Sequence, residues 1–428
     1  MSAYDQVEAI VCSSPFASND QPPRGGTPMS DTFVLPSTAD IVDQVMRLRP
    51  ELAEGGREGD LSRRVPERVF EAVRATGAFN VSAPEKFGGL AASTRDVQAV
   101  TSAIGAGDGS LAWMAGIYNT GAWVLSLMSD QAQEDVWGER GKAGALVSIV
   151  LATTSEAVAV DGGFRITGRW TYGTGSREAD WSLLGVPLKN GAGEIVDAGV
   201  ALIPREDLTF EDDWFVAGMK STASVTQLAT DVFVPSHRIF PLTAAIEGEY
   251  IGSNHGTSYR TMFVPSLFMN LVGPHLGMGR AALDFVVAAA ETKSIAFTGY
   301  DRQADSTIFQ YTLAKAAVQL AAAEALAEQV ADEIYRTAER GDYAPYADRI
   351  ALRAKAGWVI DTITQLIGDL VTAHGSAGFA DSSVLQRIWR DQAAAARHGH
   401  TLSASGYEAL GRVMVGREGD ARFVLPVV

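Results

Sequence analysis

The chain has 428 residues, 46% of them hydrophobic, and its formal net charge at pH 7 is −16. This apolar fraction is enough for a large core that is divided among more than one structural unit. The acidic balance argues against nucleic acid and anionic membrane surfaces as partners, because both require a cationic protein face. The single cysteine, Cys12, excludes an intramolecular disulfide and a metal cluster held by thiolates.

Residues 1–36 are predicted to form a disordered tail. They are rich in Pro, Gly and Ser, and they lack the cationic start and long apolar core of a secretory signal. Met29 is a candidate for the true start of the chain. Further along, Gly, His, Asn or charged residues interrupt the longest apolar runs, so we expect no membrane-spanning segment and a cytoplasmic protein.

Residues 37–150 are predicted to form an N-terminal helical domain. Between Val65 and Phe79, apolar residues recur every three to four positions, which is the period of an amphipathic helix. A loop rich in Pro and Gly follows at 83–93, and a long, mostly apolar helical stretch comes after it. Ser129 precedes several acidic residues and is predicted to be the N-cap of the next helix.

Residues 151–245 are predicted to form a small β domain, either a sandwich or a barrel. Short runs of alternating apolar and polar residues, such as FRITGRWTYG and AGVALIPRE, are typical of half-buried strands. Turn-forming stretches separate them, including DGG at 161–163 and KNGAGE at 189–194.

One short stretch of this domain, RWTYGTGSREADW at 169–181, combines features of a turn and of a ligand site. It places Thr174 between two glycines, where the backbone can approach a ligand closely and the hydroxyl offers hydrogen bonds. Trp170, Tyr172 and Trp181 are of a size to enclose a flat ring. The alternative is a plain turn between two strands with the aromatic residues as sheet packing, and the stretch alone favours this alternative.

Residues 246–428 are predicted to form a C-terminal four-helix bundle. Long alanine-rich helical patterns occur at 282–292, 308–336, 351–375 and 382–416. Their small apolar faces suit close packing within one chain and equally suit contact between copies of the chain.

This order of helices, β domain and helical bundle resembles the acyl-CoA dehydrogenase fold, which implies an α+β, mainly α, architecture. The motifs that carry the resemblance are APEKFGG at 83–89, VFVPSHRIF at 232–240 and HGSAGFADSSVLQRIWRD at 374–391. Members with dehydrogenase activity usually carry a catalytic glutamate eight residues after the aspartate that matches Asp391. That position is Gly399 here, so the usual carboxylate base is absent.

GGFRITGRWTYGTGSREADW at 162–181 is similar to a motif of two-component flavin-dependent monooxygenases, which share this fold. DGSLAWMAGIYN at 108–119 and RDQAAAARH at 390–398 resemble two further segments of that family. The resemblance implies that a separate flavin reductase supplies FMNH2 or FADH2, which forms a C4a-hydroperoxide with O2. It also implies a homotetramer that hydroxylates a small phenolic, aromatic or polycyclic substrate.

The same resemblance implies roles for individual residues. Thr174 stands where the family has a serine near the flavin N5, and His398 stands where it has a histidine beside the substrate. These two are the predicted catalytic residues, because a hydroxyl can hold the activated flavin and a histidine that titrates near neutral pH can activate a phenol. On a continuous helix His398 and His400 would point about 200° apart, and the family spacing selects His398.

The remaining predicted site residues bind the cofactor or the substrate. The cofactor-binding set implied by the resemblance consists of Ser148, Thr153, Thr154, Trp170, Tyr172, Thr174, Gly175, Lys220, Ser221 and Arg302. The substrate-binding set consists of Trp113, Tyr118, Asn119, His398 and His400.

Two local patterns are interpreted without a ligand. The H-x-H pair at 398–400 suits a strand better than a helix and has no neighbouring acid to complete a set, so we expect no metal. GMGRAA at 277–282 matches a loose dinucleotide-binding pattern without a convincing preceding strand or following acid, and we interpret it as helix packing.

Three other functions stay open at this point. One is an amino-sugar N-oxygenase with the same flavin chemistry. Another is an acyl-CoA dehydrogenase with a displaced base, which would bind oxidised FAD tightly and reduce it with an acyl-CoA. The last is a non-catalytic binding protein on the same fold, which would bind flavin poorly.

Overall fold

The computed structural model describes residues 36–139, 141–142, 144–250 and 252–424. The predicted tail, with Cys12 and Met29, lies outside these residues apart from its last position.

Side-chain caps define where the N-terminal helices begin. Ser37 and Ser93 each form a capping box with an aspartate three residues later, and Asp108 accepts a hydrogen bond from the Leu111 backbone N–H at 2.8 Å. Ser129 is an N-cap as predicted. In the described part of the chain, the helices before the first strand are α1 Thr38–Arg47, α2 Arg49–Ser62, α3 Glu67–Ala75, α4 Thr94–Gly105, α5 Gly109–Leu127 and α6 Asp130–Trp137.

Helix α5 is the centre of this region because every residue from Gly109 to Leu127 is buried. A helix that is apolar on all sides must contact protein on all sides. It packs with Phe70 and Phe79 around Tyr118 on one side, and its Trp113 reaches the C-terminal helices on another.

The central region consists of short strands arranged in two sheets. The strands are β1 Val147–Val150, β2 Ser155–Val160, β3 Gly163–Gly173, β4 Trp181–Lys189, β5 Ile195–Pro204, β6 Thr209–Phe210, β7 Val225–Pro235 and β8 Ile239–Pro241. One sheet has the order β1-β4-β5-β8 and the other has the order β2-β3-β7-β6. The β1–β4 pair is parallel and the other pairs are antiparallel.

The two sheets pack face to face as a sandwich. Their shared core contains Ile166 and Trp170 from β3 opposite Leu184 and Val186 from β4. These residues are fully buried, and the outward positions of β3 between them are exposed or half-buried, which is the alternation that the sequence predicted.

The C-terminal region is helical as expected. Its helices are α7 Leu242–Ile246, α8 Phe263–Met269, α9 Gly273–Ala289, α10 Thr307–Glu339, α11 Tyr346–His374, α12 Val384–Ala395, α13 Ser403–Met414 and α14 Glu418–Val424. The small-residue stripe predicted along 308–336 is buried at Leu320, Ala323, Ala327 and Val330. No helix within the described ranges is long and apolar enough to cross a membrane.

The prediction of one continuous helix at 382–416 was wrong. Helix α12 ends at Ala395, and the chain turns through 396–402 before α13 begins. Thr401 donates a hydrogen bond to the Ala395 carbonyl at 2.7 Å, and Arg353 of α11 donates to carbonyls within the turn. These side chains satisfy carbonyls that a continuing helix would have bonded, so they stabilise the break.

Candidate active site

A buried network of hydroxyl groups surrounds the turn that follows β3. The Thr174 hydroxyl lies 2.8 Å from the Ser224 hydroxyl, which lies 2.7 Å from the Thr222 hydroxyl. The Ser148 hydroxyl on β1 donates to the Thr174 carbonyl at 2.9 Å. The structure therefore brings together Thr174 and Ser148, which the sequence predicted, and adds Thr222 and Ser224 from the loop before β7.

Gly175 has a backbone conformation that requires glycine. Its φ is +63°, and a Cβ atom there would collide with the hydroxyl of Tyr118. The same hydroxyl donates to the Gly175 carbonyl at 2.8 Å, and the Gly175 N–H donates to the Thr222 carbonyl at 3.2 Å. The turn is consequently held from α5 on one side and from the β7 loop on the other.

The structure places Tyr118 and Asn119, which were predicted to contact substrate, in the packing around α5. Tyr118 is fully buried beside the rings of Phe70 and Phe79, and burial raises the pKa of its hydroxyl well above the usual value. The Asn119 amide is also buried and bonds only backbone groups, including the Ala78 carbonyl at 2.9 Å. Both side chains hold α5 to its neighbours.

The structure does not bring the three aromatic residues of the predicted cage together around Thr174. Trp170 is fully buried in the core of the sandwich, where its indole N–H donates to the Gly185 carbonyl at 2.8 Å. Tyr172 is 69% exposed and contacts the edge of Trp214 at 5.8 Å between ring centroids. Trp181 lies under the Arg238 guanidinium, 4.9 Å from its ring centroid. The three rings therefore do not enclose one pocket.

The other predicted cofactor residues differ in their surroundings. Lys220 and Ser221 belong to the loop that carries Thr222, and the Lys220 ammonium lies 3.7 Å from Asp60. Thr153 and Thr154 are exposed between β1 and β2, and Thr154 donates to the Arg169 carbonyl. Arg302 is exposed and pairs with Asp305 at 2.8 Å and Glu291 at 3.0 Å.

A second group of polar residues clusters between α5 and the 396–402 turn, and this cluster, in which His398 is exposed and His400 half-buried, is the candidate substrate recess. The ring centroid of Trp113 lies 5.4 Å from that of His398 and 5.9 Å from that of His275 on α9. His400 lies 5.6 Å from His398. The expectation that the two histidines of the turn face opposite directions was wrong, because they are on a turn and not on a helix.

Protein surroundings lower the pKa of both histidines. Desolvation by neighbouring protein atoms, and secondarily the charge of Arg353, lowers the pKa of His398 to about 4. Desolvation, with His398 and Arg353, lowers the pKa of His400 to about 3. The His398 side chain is nevertheless exposed and that of His400 is half-buried, so solvent weakens both shifts. The direction of the shift favours the neutral imidazole, and the predicted titration of His398 near neutral pH stays a prediction.

His275 is a site residue that the sequence analysis missed. It is fully buried, and its Nδ1 lies 2.9 Å from the Gln392 side-chain oxygen. Among the described residues its Nε2 has no hydrogen-bond partner. Burial lowers the pKa of this imidazole to about 4. The signal in the sequence was an isolated histidine within an apolar helical stretch, which has no spacing relation to His398.

A buried carboxyl links α12 to the hydroxyl network. Asp391 accepts a hydrogen bond from the Met219 backbone N–H at 2.5 Å, at the start of the loop that carries Thr222 and Ser224. Burial raises the pKa of Asp391 to about 7, and the neighbouring Asp108 adds to this rise.

Comparison with known proteins shows which families and proteins the chain resembles in sequence and in structure. Residues 40–144 match the family described as acyl-CoA dehydrogenase, N-terminal domain, and residues 269–402 match acyl-CoA dehydrogenase, C-terminal domain. The chain is 31% identical to the flavin-dependent monooxygenase oxygenase subunit HsaA of Rhodococcus jostii, across 82% of this chain and 92% of that protein. It is 28% identical to the oxygenase component of an FADH2-dependent resorcinol hydroxylase from a Rhizobium species, across 84% and 90%.

The fold agrees with XiaF from a Streptomyces species, solved with FADH2 and glycerol, at a TM-score of 0.82 and 31% identity over 89% of this chain and 96% of that one. The chain belongs to the flavin-dependent monooxygenases of the acyl-CoA dehydrogenase fold. As a monooxygenase it is an enzyme that uses reduced flavin and O2. The comparisons favour this activity over the dehydrogenase alternative.

The residues around the Thr174 turn of this monooxygenase fit a flavin. The Ser176 hydroxyl and the Gln227 amide nitrogen are buried beside the turn without a partner among the described residues. A flavin ring carries N–H and C=O groups along its edge, which suit such donors and acceptors. The exposed Tyr172 ring offers an aromatic contact. These residues would hold the ring, with Thr174 between them.

Proposed function

We propose that this monooxygenase is the oxygenase component of a two-component system and hydroxylates a small phenolic or polycyclic aromatic substrate. The observation that carries this proposal is the recess in which the Trp113 indole contacts His275 and His398. An indole offers an apolar face to an aromatic ring, and neutral imidazoles offer hydrogen bonds to a hydroxyl on that ring. The relatives named as aromatic hydroxylases support the same substrate class.

The reduced flavin, supplied by a separate reductase, provides the activated oxygen when it is bound. The role of the protein is to hold the flavin ring and to exclude water. The Thr174 hydroxyl already shares a hydrogen bond with Ser224 and retains capacity for a further one, so it serves as the group beside the reactive part of the flavin. Its burial, at 6% exposure, keeps that hydroxyl away from bulk water.

His398 is the substrate-contacting residue in this proposal. Its imidazole is exposed and its lowered pKa favours the neutral form, so it can exchange a hydrogen bond with a substrate hydroxyl. The fixed position next to Trp113 orients the aromatic ring relative to that bond.

Rapid mixing tests the oxygenase activity. The protein is mixed anaerobically with reduced FMN or FAD and then with oxygenated buffer, and flavin absorbance is followed with and without resorcinol. We expect a lasting absorption band that differs from those of reduced and oxidised flavin, followed by hydroxylated product. Immediate return of the oxidised spectrum under both conditions would contradict the proposal.

Two variants test the residue roles. His398→Ala should lower hydroxylation much more than it lowers flavin binding, and an equal loss of both would remove His398 from the substrate site. Thr174→Ala should raise the fraction of O2 released as H2O2, whereas Thr174→Ser, which keeps the hydroxyl, should restore coupling. Unchanged coupling in Thr174→Ala would argue against the hydroxyl role.

We also propose a cytoplasmic homotetramer. Helix α10 exposes Ile308, Tyr311 and Val318 along one side, with exposures of 77%, 70% and 56%. Large apolar residues aligned on one helix face are favourable in water only when another surface covers them. Light scattering after gel filtration should give four copies, and Tyr311→Glu should lower the mass. A monomeric wild type would refute this assembly.

A further inference from the structure

A chain of hydrogen bonds fixes the tautomer of His275. The Thr364 hydroxyl donates to the Ile360 carbonyl at 2.8 Å, so it accepts from the Gln392 amide nitrogen at 2.9 Å. The Gln392 oxygen is then the atom that faces His275 Nδ1. Because an amide oxygen only accepts, Nδ1 carries the hydrogen. In a neutral imidazole this leaves Nε2 with a lone pair and no hydrogen.

The lone pair on His275 Nε2 lacks a donor. The residue is fully buried, and no described residue bonds this atom. A buried acceptor without a donor is unfavourable, so its retention in an otherwise apolar helix needs an explanation. The His275 ring contacts Trp113, which also contacts His398, so the ring that carries the unpartnered atom belongs to the cluster of the proposed substrate recess.

In His398 the hydrogen is on the other ring nitrogen than in His275. The His400 backbone N–H donates to His398 Nδ1 at 3.3 Å. With its lone pair at Nδ1 engaged, neutral His398 carries its hydrogen on Nε2, which is then a donor. Trp113 therefore contacts one imidazole whose Nε2 is an acceptor and one whose Nε2 is a donor.

We propose that His275 Nε2 accepts a hydrogen bond from a neutral hydroxyl of the aromatic substrate and thereby selects the un-ionised phenol. His398 Nε2 is the complementary donor to a substrate oxygen. His275 is a specificity-determining residue, since a methyl ether lacks the required donor and a phenolate would place a negative oxygen against a lone pair. This inference rests on the proposed function, because it assumes that the aromatic substrate enters this recess.

A matched pair of probes tests the assignment without turnover. Binding of 4-nitrophenol and of its methyl ether, 4-nitroanisole, is measured with the purified full chain, and the absorbance of bound 4-nitrophenol reports its ionisation. His275→Leu should weaken binding of neutral 4-nitrophenol about fivefold to tenfold, the usual effect of one lost hydrogen bond. The same variant should leave binding of 4-nitroanisole within about twofold of that of the wild type.

A second variant changes His275 Nε2 from an acceptor to a donor by a substitution at Gln392 that keeps the size of the Gln392 side chain. Gln392→Glu places a carboxylate against His275 Nδ1, which favours the imidazolium and converts Nε2 into a donor. The pKa of bound 4-nitrophenol should then fall, because the phenolate becomes the preferred form. His374→Leu is the matched control, since His374 is another buried histidine with a ring nitrogen that has no partner among the described residues, and it should alter the binding of neither probe.

Several results would overturn the assignment. If His275→Leu weakened the binding of both probes equally, His275 would contribute only packing and no hydrogen bond to the substrate. If the ionisation of bound 4-nitrophenol were unchanged in Gln392→Glu, His275 Nε2 would not be the acceptor that sets it. If the wild type binds neither probe, His275 has no such role, whereas the reaction of the reduced flavin with O2 and resorcinol still decides the proposed function separately.

Discussion

Replacing Asp391 with asparagine removes a charge from a buried carboxyl and keeps an acceptor for the Met219 N–H. Burial raises the pKa of Asp391 from 3.8 to about 7. Between these two values the folded state binds more protons than the unfolded state, so the free energy of unfolding falls as pH rises. The difference of roughly three pH units corresponds to at most about 4 kcal/mol, reached above about pH 7. An uncharged amide at this position would be free of this penalty.

Urea unfolding followed by tryptophan fluorescence measures this effect in the wild type and in Asp391→Asn. The variant should be more stable than the wild type by about 1–2 kcal/mol near pH 5 and by up to about 4 kcal/mol near pH 8. Asp212→Asn is the control, because Asp212 is 59% exposed and its loss should change stability by less than about 0.5 kcal/mol. A variant that is less stable at pH 8 than at pH 5, relative to the wild type, would refute the reasoning.

Three further changes test the turn and the recess. Tyr118→Phe leaves the buried Gly175 carbonyl without its donor and should cost about 1–3 kcal/mol in chemical denaturation, whereas unchanged stability would show that water replaces the hydroxyl. Gly175→Ala should destabilise by more than about 1 kcal/mol because of its positive φ and the collision with Tyr118, and combining it with Tyr118→Phe should recover part of the loss. The lowered pKa values of His275, His398 and His400 mean that these three residues bind more protons in the unfolded state below about pH 6.5, so their contribution to stability should fall as pH falls from there to about 4, opposite in sign to that of Asp391. Thermal unfolding should show this slope flattened in His275→Gln, and an unaltered slope would contradict the buried neutral state.

Local patterns were sufficient for the order of the three regions and for the Thr174 turn. Periodicity of apolar residues indicated the helices of the N-terminal region and the buried stripe of α10. Glycine on both sides of Thr174 indicated a turn, and pairing of β1 with β4 then placed Ser148 against it. These features depend on residues close in sequence or on regular strand geometry, and for this reason they were predictable.

The aromatic cage failed because of a local irregularity in β3. In a regular strand Trp170 and Tyr172 would share one face. The register between β3 and β7 shifts between Trp170 and Gly173, and Tyr172 has φ of +61°. This bulge directs Trp170 into the sandwich core and leaves Tyr172 at the surface. No residue pattern in the stretch 169–181 predicts the bulge.

The histidine recess depends on contacts between distant segments. The alanine-rich sequence before His398 favours helix, but Arg353 of α11 bonds the Gly399 and Leu402 carbonyls and stabilises a turn there. His275 comes from a helix more than a hundred positions earlier and meets His398 only through Trp113. Such tertiary arrangements override local propensity, so sequence reasoning named His398 and missed its partner.

Two adjacent residues of α12 organise the two halves of the site. Asp391 holds the Met219 N–H and so fixes the loop whose Ser224 hydroxyl bonds Thr174. Gln392 fixes the tautomer of His275 beside Trp113. A shift of α12 would therefore move the Thr174 hydroxyl network and His275 together. Because both contacts begin on one helix turn, α12 couples the proposed flavin-binding group to the proposed substrate-binding group.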